Sequence, residues 1–219
     1  MKIDAVVFDL DGLMIDSERV VQKTWDIAGE WIGYGALGHH IYQTLGFNLT
    51  KRKTYFEECY GKEFPFDLFR KETKKAWNAY VACHEIPAKK GLYHLLNVLK
   101  QQEIKLGVAT SSSRAYAVSE LENKKILSYF DALVFGDMVK EAKPSPEIYE
   151  KACELLQVNP QKAIALEDSL HGIKAAHAAG MMSIFVPDLV SDATSIDGIV
   201  TAKLKDLDEV AEWLLHELY

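Results

Sequence analysis

The chain has 219 residues, about one and a half times a typical domain, so it can form one large domain or a core with a small insertion. Hydrophobic residues make up 48% and charged residues 26%, which excludes disordered and collagen-like chains and predicts a globular protein. The formal net charge of −7 repels polyanions and argues against general nucleic-acid binding.

Five short apolar segments predict the strands of one parallel sheet. Each is nearly continuous in hydrophobic residues, as a strand buried on both faces is, and each precedes a turn and a stretch with helical periodicity. The segments cover residues 5–8, 106–109, 132–135, 163–166 and 183–186. Their alternation with helices predicts an α/β fold with a Rossmann-like parallel sheet as its core.

A long segment between the first two predicted strands indicates an insertion. About 95 residues separate these strands, whereas about 30 suffice for a strand–helix–strand crossover. The apolar stripes in this segment are Val21, Trp25, Ala28 and Ile32, and Phe66, Phe69, Thr73, Ala76 and Tyr80. Their helical spacing predicts a small all-helical domain at residues 17–83. Residues 1–16 and 84–219 would then form a discontinuous α/β core.

Helices are also predicted before and after the later strands. One helical face carries Leu92, Leu95, Leu96 and Leu99, and another carries Ile148, Ala152, Leu155 and Leu156. A helix is expected over residues 169–179, ended by Gly180. The last helix shows Leu207, Val210, Ala211, Leu214 and Leu215.

Two aspartates follow the first predicted strand, in Phe8-Asp9-Leu10-Asp11-Gly12. Residues i and i+2 of an extended chain point to one side, so Asp9 and Asp11 would present two carboxylates where open α/β sheets bind ligands. A bound Mg²⁺ would relieve their repulsion, since it prefers carboxylate, water and phosphate oxygens. Alternatively, both aspartates are ordinary turn and helix-start residues.

A second acidic pair, Glu167-Asp168, follows the fourth predicted strand and precedes Ser169 and a helix. Asp168 or Ser169 could serve simply as the N-cap of that helix. Together with Asp9 and Asp11, however, the pair places four carboxylates at one sheet edge, where a metal ion or protonation must relieve the repulsion. The two pairs together favour a metal site.

Two further segments carry groups that could bind phosphate. Thr110-Ser111-Ser112-Ser113 follows the second strand, and hydroxyls and backbone N–H groups at such a turn can hold phosphate oxygens. Ordinary helix capping explains the same residues equally well. Lys143 precedes Pro144, which is expected to open the next helix. The ammonium of Lys143 could pair with a phosphoryl group or a carboxylate.

These four segments, in this order, resemble the haloacid dehalogenase-like hydrolase superfamily across essentially the whole chain. Asp9-Leu10-Asp11-Gly12 resembles its first motif, Thr110 its second, Lys143 its third, and Glu167-Asp168-Ser169 with Gly172 its fourth. The insert after residue 16 is similar to the cap domain of members that carry it between the first motif and the second strand. Within the superfamily, the chain is most similar to sugar-phosphate and nucleotide phosphatases and to β-phosphoglucomutase.

The resemblance implies a Mg²⁺-dependent phosphatase that acts on a small phosphate ester, a sugar phosphate or nucleotide-like monoester, through an aspartyl-phosphate intermediate. Asp9 would be the nucleophile, and Asp11 the general acid and then base. The residues expected to bind the phosphoryl group are Thr110, Ser111, Ser112 and Lys143. The residues expected at the metal are Asp9, Asp11 through its backbone carbonyl, Asp168, and Glu167 as a ligand or a support for the ligands.

Two alternative functions remain open. In the mutase, a histidine and an arginine of the cap occupy positions that here carry Val21 and Leu49, the latter in segment 45–49, although an insertion could bring Lys51 or Arg52 into the second role. An inactive binding or regulatory member of the fold is the other alternative, against which the intact motif residues argue. Dehalogenases of the superfamily lack the aspartate that is present here as Asp11.

The cap would select the substrate, because the motif residues handle only the phosphate. Residues 17–83 carry ten basic and eight acidic residues, a net charge of +2, so the rest of the chain carries −9. Lys51-Arg52-Lys53 is interpreted as a solvated helix face. Lys90, where the family usually has proline, would add positive charge near the site entrance. The aromatic residues interpreted as cap core are Trp25, Trp31, Tyr42 and Trp77.

The remaining sequence features predict the cellular location of the protein rather than its chemistry. Cys59, Cys83 and Cys153 are far apart and form no CxxC motif, which predicts neither disulfides nor zinc and favours a reducing cytoplasm. Acidic residues interrupt the N-terminal apolar run that a signal peptide needs, and no window approaches the ~18 apolar residues of a membrane helix. We expect a cytoplasmic protein that binds neither membranes nor nucleic acid, with monomer as the default state.

Overall fold

The computed structural model describes residues 3–44, 49–189 and 193–217. The chain divides into two compact units, an α/β unit of Met1–Asp16 and Pro87–Tyr219 and a helical unit of Ser17–Ile86. In chain order, the strands and helices are β1 (Ala5–Phe8), α1 (Ser17–Trp31), α2 (Ile41–Thr44), α3 (Leu49–Tyr60), α4 (Phe66–Cys83), α5 (Leu92–Gln101), β2 (Lys105–Thr110), α6 (Arg114–Asn123), β3 (Ala132–Phe135), α7 (Glu147–Leu156), β4 (Ala163–Glu167), α8 (Leu170–Ala178), β5 (Met182–Phe185), β6 (Ala202–Lys203) and α9 (Leu207–Glu217).

Among the described residues, six parallel strands form one sheet in the order β3-β2-β1-β4-β5-β6, which confirms the predicted α/β fold. All four residues of β1 are buried, because the strand lies between β2 and β4 and is covered on both faces. Phe8 is in register with Val108 of β2 and with Leu166 of β4. The residues that follow these three strands therefore meet at one edge, beside the point where the strand order reverses.

The structure corrects several details of the sequence prediction. Strand β6 has two residues, too few to produce a pattern, and helix α6 was missed because only Ala117, Glu120 and Leu121 of it are buried. Helix α7 begins at Glu147 with Pro146 as its N-cap, so Pro144 does not open it. Two leucines assigned to buried helix faces are exposed, Leu155 by 49% and Leu215 by 37%.

The helical unit is built around aromatic side chains. The ring centroid of Trp25 lies 5.7 Å from that of Phe56 and 5.5 Å from that of Phe69, so α1, α3 and α4 share one core. The predicted α1 stripe is shifted, since Val20 is buried and Val21 is only half-buried. Trp31 and Tyr42, interpreted as core, are 50% and 49% exposed. In the part of the chain that the structure describes, no helix is both long and apolar enough to cross a membrane.

Candidate active site

The carboxyl ends of β1, β2 and β4 bring three predicted site residues together. Asp9 directly follows β1, and its backbone N–H donates to the carbonyl of Leu166 at 3.0 Å. Thr110 is the last residue of β2, and Glu167 is the last residue of β4. All three are buried, although each carries a polar side chain. Burying such groups is costly without compensating partners, so their partners define the site.

Lys143 is the partner that Asp9 and Glu167 share. Its Nζ lies 2.6 Å from Oδ1 of Asp9 and 2.6 Å from Oε1 of Glu167, and it donates to the carbonyl of Ala109 at 3.0 Å. Burial lowers the pKa of Lys143, but the two carboxylates outweigh this effect and raise it above its usual value. Lys143 is therefore a permanent cation inside the site.

The lysine does not fully compensate the charge of the carboxylates. The pKa of Asp9 is raised to about 7, and burial is the largest cause. The charge of Lys143 lowers this pKa, and the charge of Glu167 raises it. A carboxylate in this environment gains from any further positive charge nearby. The electrostatics of the site thus favour an additional cation beside Asp9.

An acidic group suited to such a cation is present. Asp9, Glu167 and Asp168 each offer a carboxylate oxygen, and these oxygens lie within 4.8 Å of one another. Hard carboxylate oxygens are the donors that Mg²⁺ prefers. Gly12 makes room for this arrangement, because a Cβ there would lie 2.1 Å from Oδ2 of Asp168. The residues therefore fit a Mg²⁺ site, to which the side chain of Asp11 does not contribute.

Asp11 is held by hydroxyl groups. The Oγ of Ser112 donates to its Oδ2 at 2.6 Å, and the hydroxyl of Tyr116 donates to its Oδ1 at 3.1 Å. The backbone N–H of Ser112 donates to Oγ1 of Thr110 at 3.1 Å. Ser112, predicted to bind the phosphoryl group, thus also holds Asp11, while Ser111 and Lys143 line a cavity of about 120 Å³.

Glu167 is fixed by residues that the sequence analysis did not assign to it. The hydroxyl of Tyr149 donates to its Oε1 at 2.7 Å, while the N–H and the Oγ of Ser169 donate to its Oε2 at 3.2 and 2.9 Å. Ser169 is also the N-cap of α8, accepting from the N–H of Gly172 at 3.0 Å. The capping alternative therefore holds for Ser169 but not for Asp168.

Two tyrosines of the site, Tyr116 and Tyr149, were missed at the level of sequence. Tyr149 lies on a buried stripe of α7 with Cys153 and Leu156, and a tyrosine at such a position needs a buried partner for its hydroxyl. That stripe was a usable signal. Tyr116 lies in the first turn of α6, a helix that the sequence pattern did not reveal.

Lys90, expected to add positive charge near the site entrance, is paired with carboxylates. Its Nζ lies 2.7 Å from Oδ2 of Asp206 and 3.6 Å from Oδ2 of Asp208. These carboxylates raise the pKa of the exposed lysine, first through the hydrogen bond with Asp206. The charge of Lys90 is therefore balanced within the α/β unit.

In the helical unit, the interpretation of Lys51-Arg52-Lys53 as a solvated face is wrong for Arg52. Its guanidinium carbon lies 5.2 Å from the ring centroid of Trp25, and burial is the main cause that lowers its pKa. Arg52 lines a cavity of about 260 Å³ together with Trp25, Thr73, Trp77 and other residues of α1, α3 and α4. Most of segment 45–49, used in the mutase comparison, lies outside the described residues.

Comparison with known proteins gives a consistent picture. Residues 6–186 match the model of the family described as haloacid dehalogenase-like hydrolase. The chain is 31% identical over 186 residues, 84% of each protein, to a phosphorylated carbohydrates phosphatase from Thermotoga maritima. It is also similar to the crystal structure of CbbY from Rhodobacter sphaeroides in complex with xylulose-(1,5)bisphosphate, with a TM-score of 0.74, 27% identity and coverage of 94% and 96%. A β-phosphoglucomutase from Clostridium difficile shares the fold, with a TM-score of 0.74, 22% identity and coverage of 99% and 97%.

Proposed function

This chain belongs to the haloacid dehalogenase-like hydrolase family, and we propose that it is a Mg²⁺-dependent phosphatase of a small phosphorylated metabolite. The observation that carries the proposal is the buried carboxylate of Asp9, held 2.6 Å from Lys143 and beside the acidic side chains of Glu167 and Asp168. The relative named as a phosphorylated carbohydrates phosphatase supports a sugar phosphate as the substrate class.

In the first step, an oxygen of Asp9 attacks the phosphorus of the substrate. A bond forms between the carboxylate oxygen and phosphorus, the ester P–O bond breaks, and the leaving oxygen takes a proton from Asp11. In the second step, water attacks the aspartyl-phosphate and gives a proton to Asp11, which releases phosphate and restores Asp9. Asp11 is thus acid and then base.

The phosphoryl group is negatively charged, as is the nucleophile, so the site must reduce their repulsion. Lys143 supplies one fixed positive charge next to Asp9. Hydroxyl groups of Thr110 and Ser111 and the backbone N–H of Ser111 would bind phosphoryl oxygens. Ser112 could join them only by giving up a hydrogen bond, because its hydroxyl donates to Asp11 and its N–H donates to Thr110. Mg²⁺, when bound, supplies further positive charge to the phosphoryl oxygens, and the residues that would hold it are Asp9, Asp168 and the backbone carbonyl of Asp11. Glu167 would support them, since Lys143, Tyr149 and Ser169 occupy its oxygens.

We assign substrate selection to the helical unit, as the cap of the enzyme. Its 260 Å³ cavity has indole and phenyl walls and three cationic side chains, Arg52, Arg70 and Lys74. Two buried polar atoms in its wall, Nε of Arg52 and Oγ1 of Thr73, have no hydrogen-bond partner among the described residues. Such atoms favour a polar, anionic ligand that would satisfy them. A second anionic group on the substrate is the chemistry that fits best.

A phosphosugar mutase is the second candidate, favoured by the cationic cavity and by the mutase that shares the fold. Val21, which lines the cavity, cannot supply the acid–base chemistry of a histidine there. Incubation with a sugar phosphate separates the candidates, because a mutase yields an isomeric sugar phosphate whereas a phosphatase yields inorganic phosphate.

The proposal is tested by phosphate release from p-nitrophenyl phosphate and a panel of phosphorylated metabolites. We expect turnover that EDTA abolishes, Mg²⁺ restores and Asp9→Asn removes. Asp4→Asn is the matched control, since Asp4 lies outside the site, 3.8 Å from the Nζ of Lys162. Turnover that persists in Asp9→Asn or in EDTA contradicts the proposal, and binding of phosphate esters without turnover supports an inactive binding protein.

We also propose a cytoplasmic location and a monomeric state. The three cysteines are present as thiols, and Cys59 and Cys83 are exposed, as suits a reducing compartment. Light scattering of the purified protein and labelling of the thiols in cells test these two statements.

A further inference from the structure

Two hydroxyl groups fix the carboxylate of Asp11, and they come from one short stretch of chain. Ser112 lies in the turn after β2 and donates to Oδ2 at 2.6 Å, while Tyr116 lies in the first turn of α6 and donates to Oδ1 at 3.1 Å. Because the donors bind different oxygens, rotation of the carboxylate would break at least one of these hydrogen bonds.

The stretch that carries these hydroxyls is itself anchored. The carbonyl of Ser112 accepts from the N–H of Gly136 at 2.9 Å, and its N–H donates to Oγ1 of Thr110 at 3.1 Å. The carbonyl of Ser113, the N-cap of α6, accepts from Ala117 at 3.0 Å, which closes the helical turn containing Tyr116. The hydroxyls therefore reach Asp11 from a fixed backbone, the condition for precise positioning of a reactive group.

We propose that Tyr116 is a positioning residue that holds Asp11 for proton exchange with the leaving oxygen of the substrate. The inference rests on the proposed function and deepens it. Each carboxylate oxygen can accept two hydrogen bonds, so the hydroxyls of Tyr116 and Ser112 leave acceptor positions on Asp11 for the reaction. Tyr116 keeps its own proton throughout, while the transferred proton passes from Asp11 to the leaving alkoxide and returns from water.

This role predicts an effect that depends on the leaving group. Glucose 6-phosphate releases an alkoxide that needs a proton, whereas p-nitrophenyl phosphate releases a phenolate that departs without one. General acid catalysis typically contributes 10²–10⁴-fold, so misplacing the acid should remove about tenfold of it. We expect Tyr116→Phe to lower kcat/KM for glucose 6-phosphate about tenfold, and to change kcat/KM for p-nitrophenyl phosphate less than about twofold.

Tyr129→Phe is the matched control, because it removes a hydroxyl that donates to Oδ1 of Asn97 at 2.9 Å on the surface of the same unit. Thermal melting of both variants measures any loss of folding. Equal losses on the two substrates, or a Tyr116→Phe variant indistinguishable from Tyr129→Phe, overturn the inference. A rise in KM alone also overturns it, because that result makes Tyr116 a binding residue.

The crystal structure of Tyr116→Phe gives a second readout that does not depend on activity. We expect the carboxylate of Asp11 to rotate or to occupy more than one rotamer, and an unmoved carboxylate overturns the inference. Asp9→Asn is assayed in parallel. If Asp9→Asn is inactive and Tyr116→Phe is unaffected, only this inference fails, whereas an active Asp9→Asn variant overturns the proposed function and the inference with it.

Discussion

In the α/β unit, the ammonium of Lys143 lies 2.6 Å from the carboxylates of both Asp9 and Glu167. In the helical unit, the Nε of Arg52 lines a cavity and has no hydrogen-bond partner among the described residues. The first arrangement is a set of buried charges in which each member compensates another, so removing one leaves the others uncompensated. The second leaves polar atoms available to a ligand. Under our proposal, the fixed groups of the α/β unit carry out the chemistry and the helical unit selects the substrate.

The largest expected effect follows from removing the shared cation of the α/β unit. Lys143→Ala leaves the carboxylates of Asp9 and Glu167 buried without a counter-charge, which typically costs about 3–5 kcal/mol of unfolding free energy. Urea denaturation measures this loss, and Mg²⁺ should restore part of it by replacing the missing charge. Lys162→Ala is the control, because Lys162 is 56% exposed and lies 3.8 Å from Asp4. Equal stability of the two variants would contradict this description of the α/β unit.

A smaller loss is expected from filling the space next to Glu167. A Cβ on Gly172 would lie 1.8 Å from the carboxyl carbon of Glu167, so Gly172→Ala must displace that side chain. Overpacking of this kind costs about 1–3 kcal/mol, although alanine normally stabilises a helix relative to glycine by about 1 kcal/mol. We expect lower stability and lower turnover in Gly172→Ala. Gly198→Ala, where a Cβ would meet no atom within 4 Å, should show neither effect.

Removing the hydroxyl of Tyr149 tests how strongly the buried carboxylate of Glu167 depends on its hydrogen-bond donors. Tyr149→Phe deletes the donor 2.7 Å from Oε1 of Glu167, and a hydrogen bond to a charged group contributes about 1.5–3 kcal/mol. Thermal and urea unfolding should show a loss in this range. Tyr93→Phe is the control, since the Tyr93 hydroxyl donates over 3.4 Å to a backbone carbonyl of Lys124. Unchanged stability of Tyr149→Phe would show that the buried carboxylate of Glu167 does not depend on the hydroxyl of Tyr149.

The smallest change in stability is expected in the helical unit. Arg52→Gln removes a contact with the Trp25 ring that typically contributes about 0.5–2 kcal/mol, and this loss is partly offset because the buried Nε without a partner is removed with it. Under our proposal, Arg52 donates a hydrogen bond to the second anionic group of the substrate, so the same variant should lower kcat/KM for fructose 1,6-bisphosphate about tenfold or more relative to fructose 6-phosphate. Lys53→Gln is the control, since Lys53 is half-exposed and lies 3.8 Å from Glu57. A large loss of stability without a change in substrate selectivity would contradict the assignment of substrate selection to the helical unit.

The sequence predicted the structure well where a residue pattern is compatible with only a few structures. Five apolar strands, and the acidic residues at the ends of the first and fourth of them, were predictable, because a strand covered on both faces leaves a continuous apolar run. Asp9, Thr110 and Glu167 could be placed at one edge because parallel strands end together, whereas Lys143 was placed there only by the resemblance to the family. The α/β fold follows from these features.

The parts that could not be predicted depend on contacts between distant residues. Nothing in the local pattern shows that Tyr149 donates to Glu167, or that the side chain of Asp11 turns toward Ser112 and Tyr116. Arg52 was misjudged for the same reason, since its charge suggested solvent while its long side chain packs on Trp25. Short β6 and weakly amphipathic α6 fall below what periodicity can detect.

We propose that acidic side chains at the ends of β1 and β4 hold a divalent cation next to Asp9, the nucleophile of the proposed reaction. A crystal structure determined with Mg²⁺ and inorganic phosphate tests it most directly. We predict a Mg²⁺ ion coordinated by carboxylate oxygens of Asp9 and Asp168 at about 2.0–2.1 Å, with the phosphate between Asp9 and the turn that begins at Thr110. A Mg²⁺ ion bound elsewhere, or a phosphate out of reach of Asp9, would contradict the account.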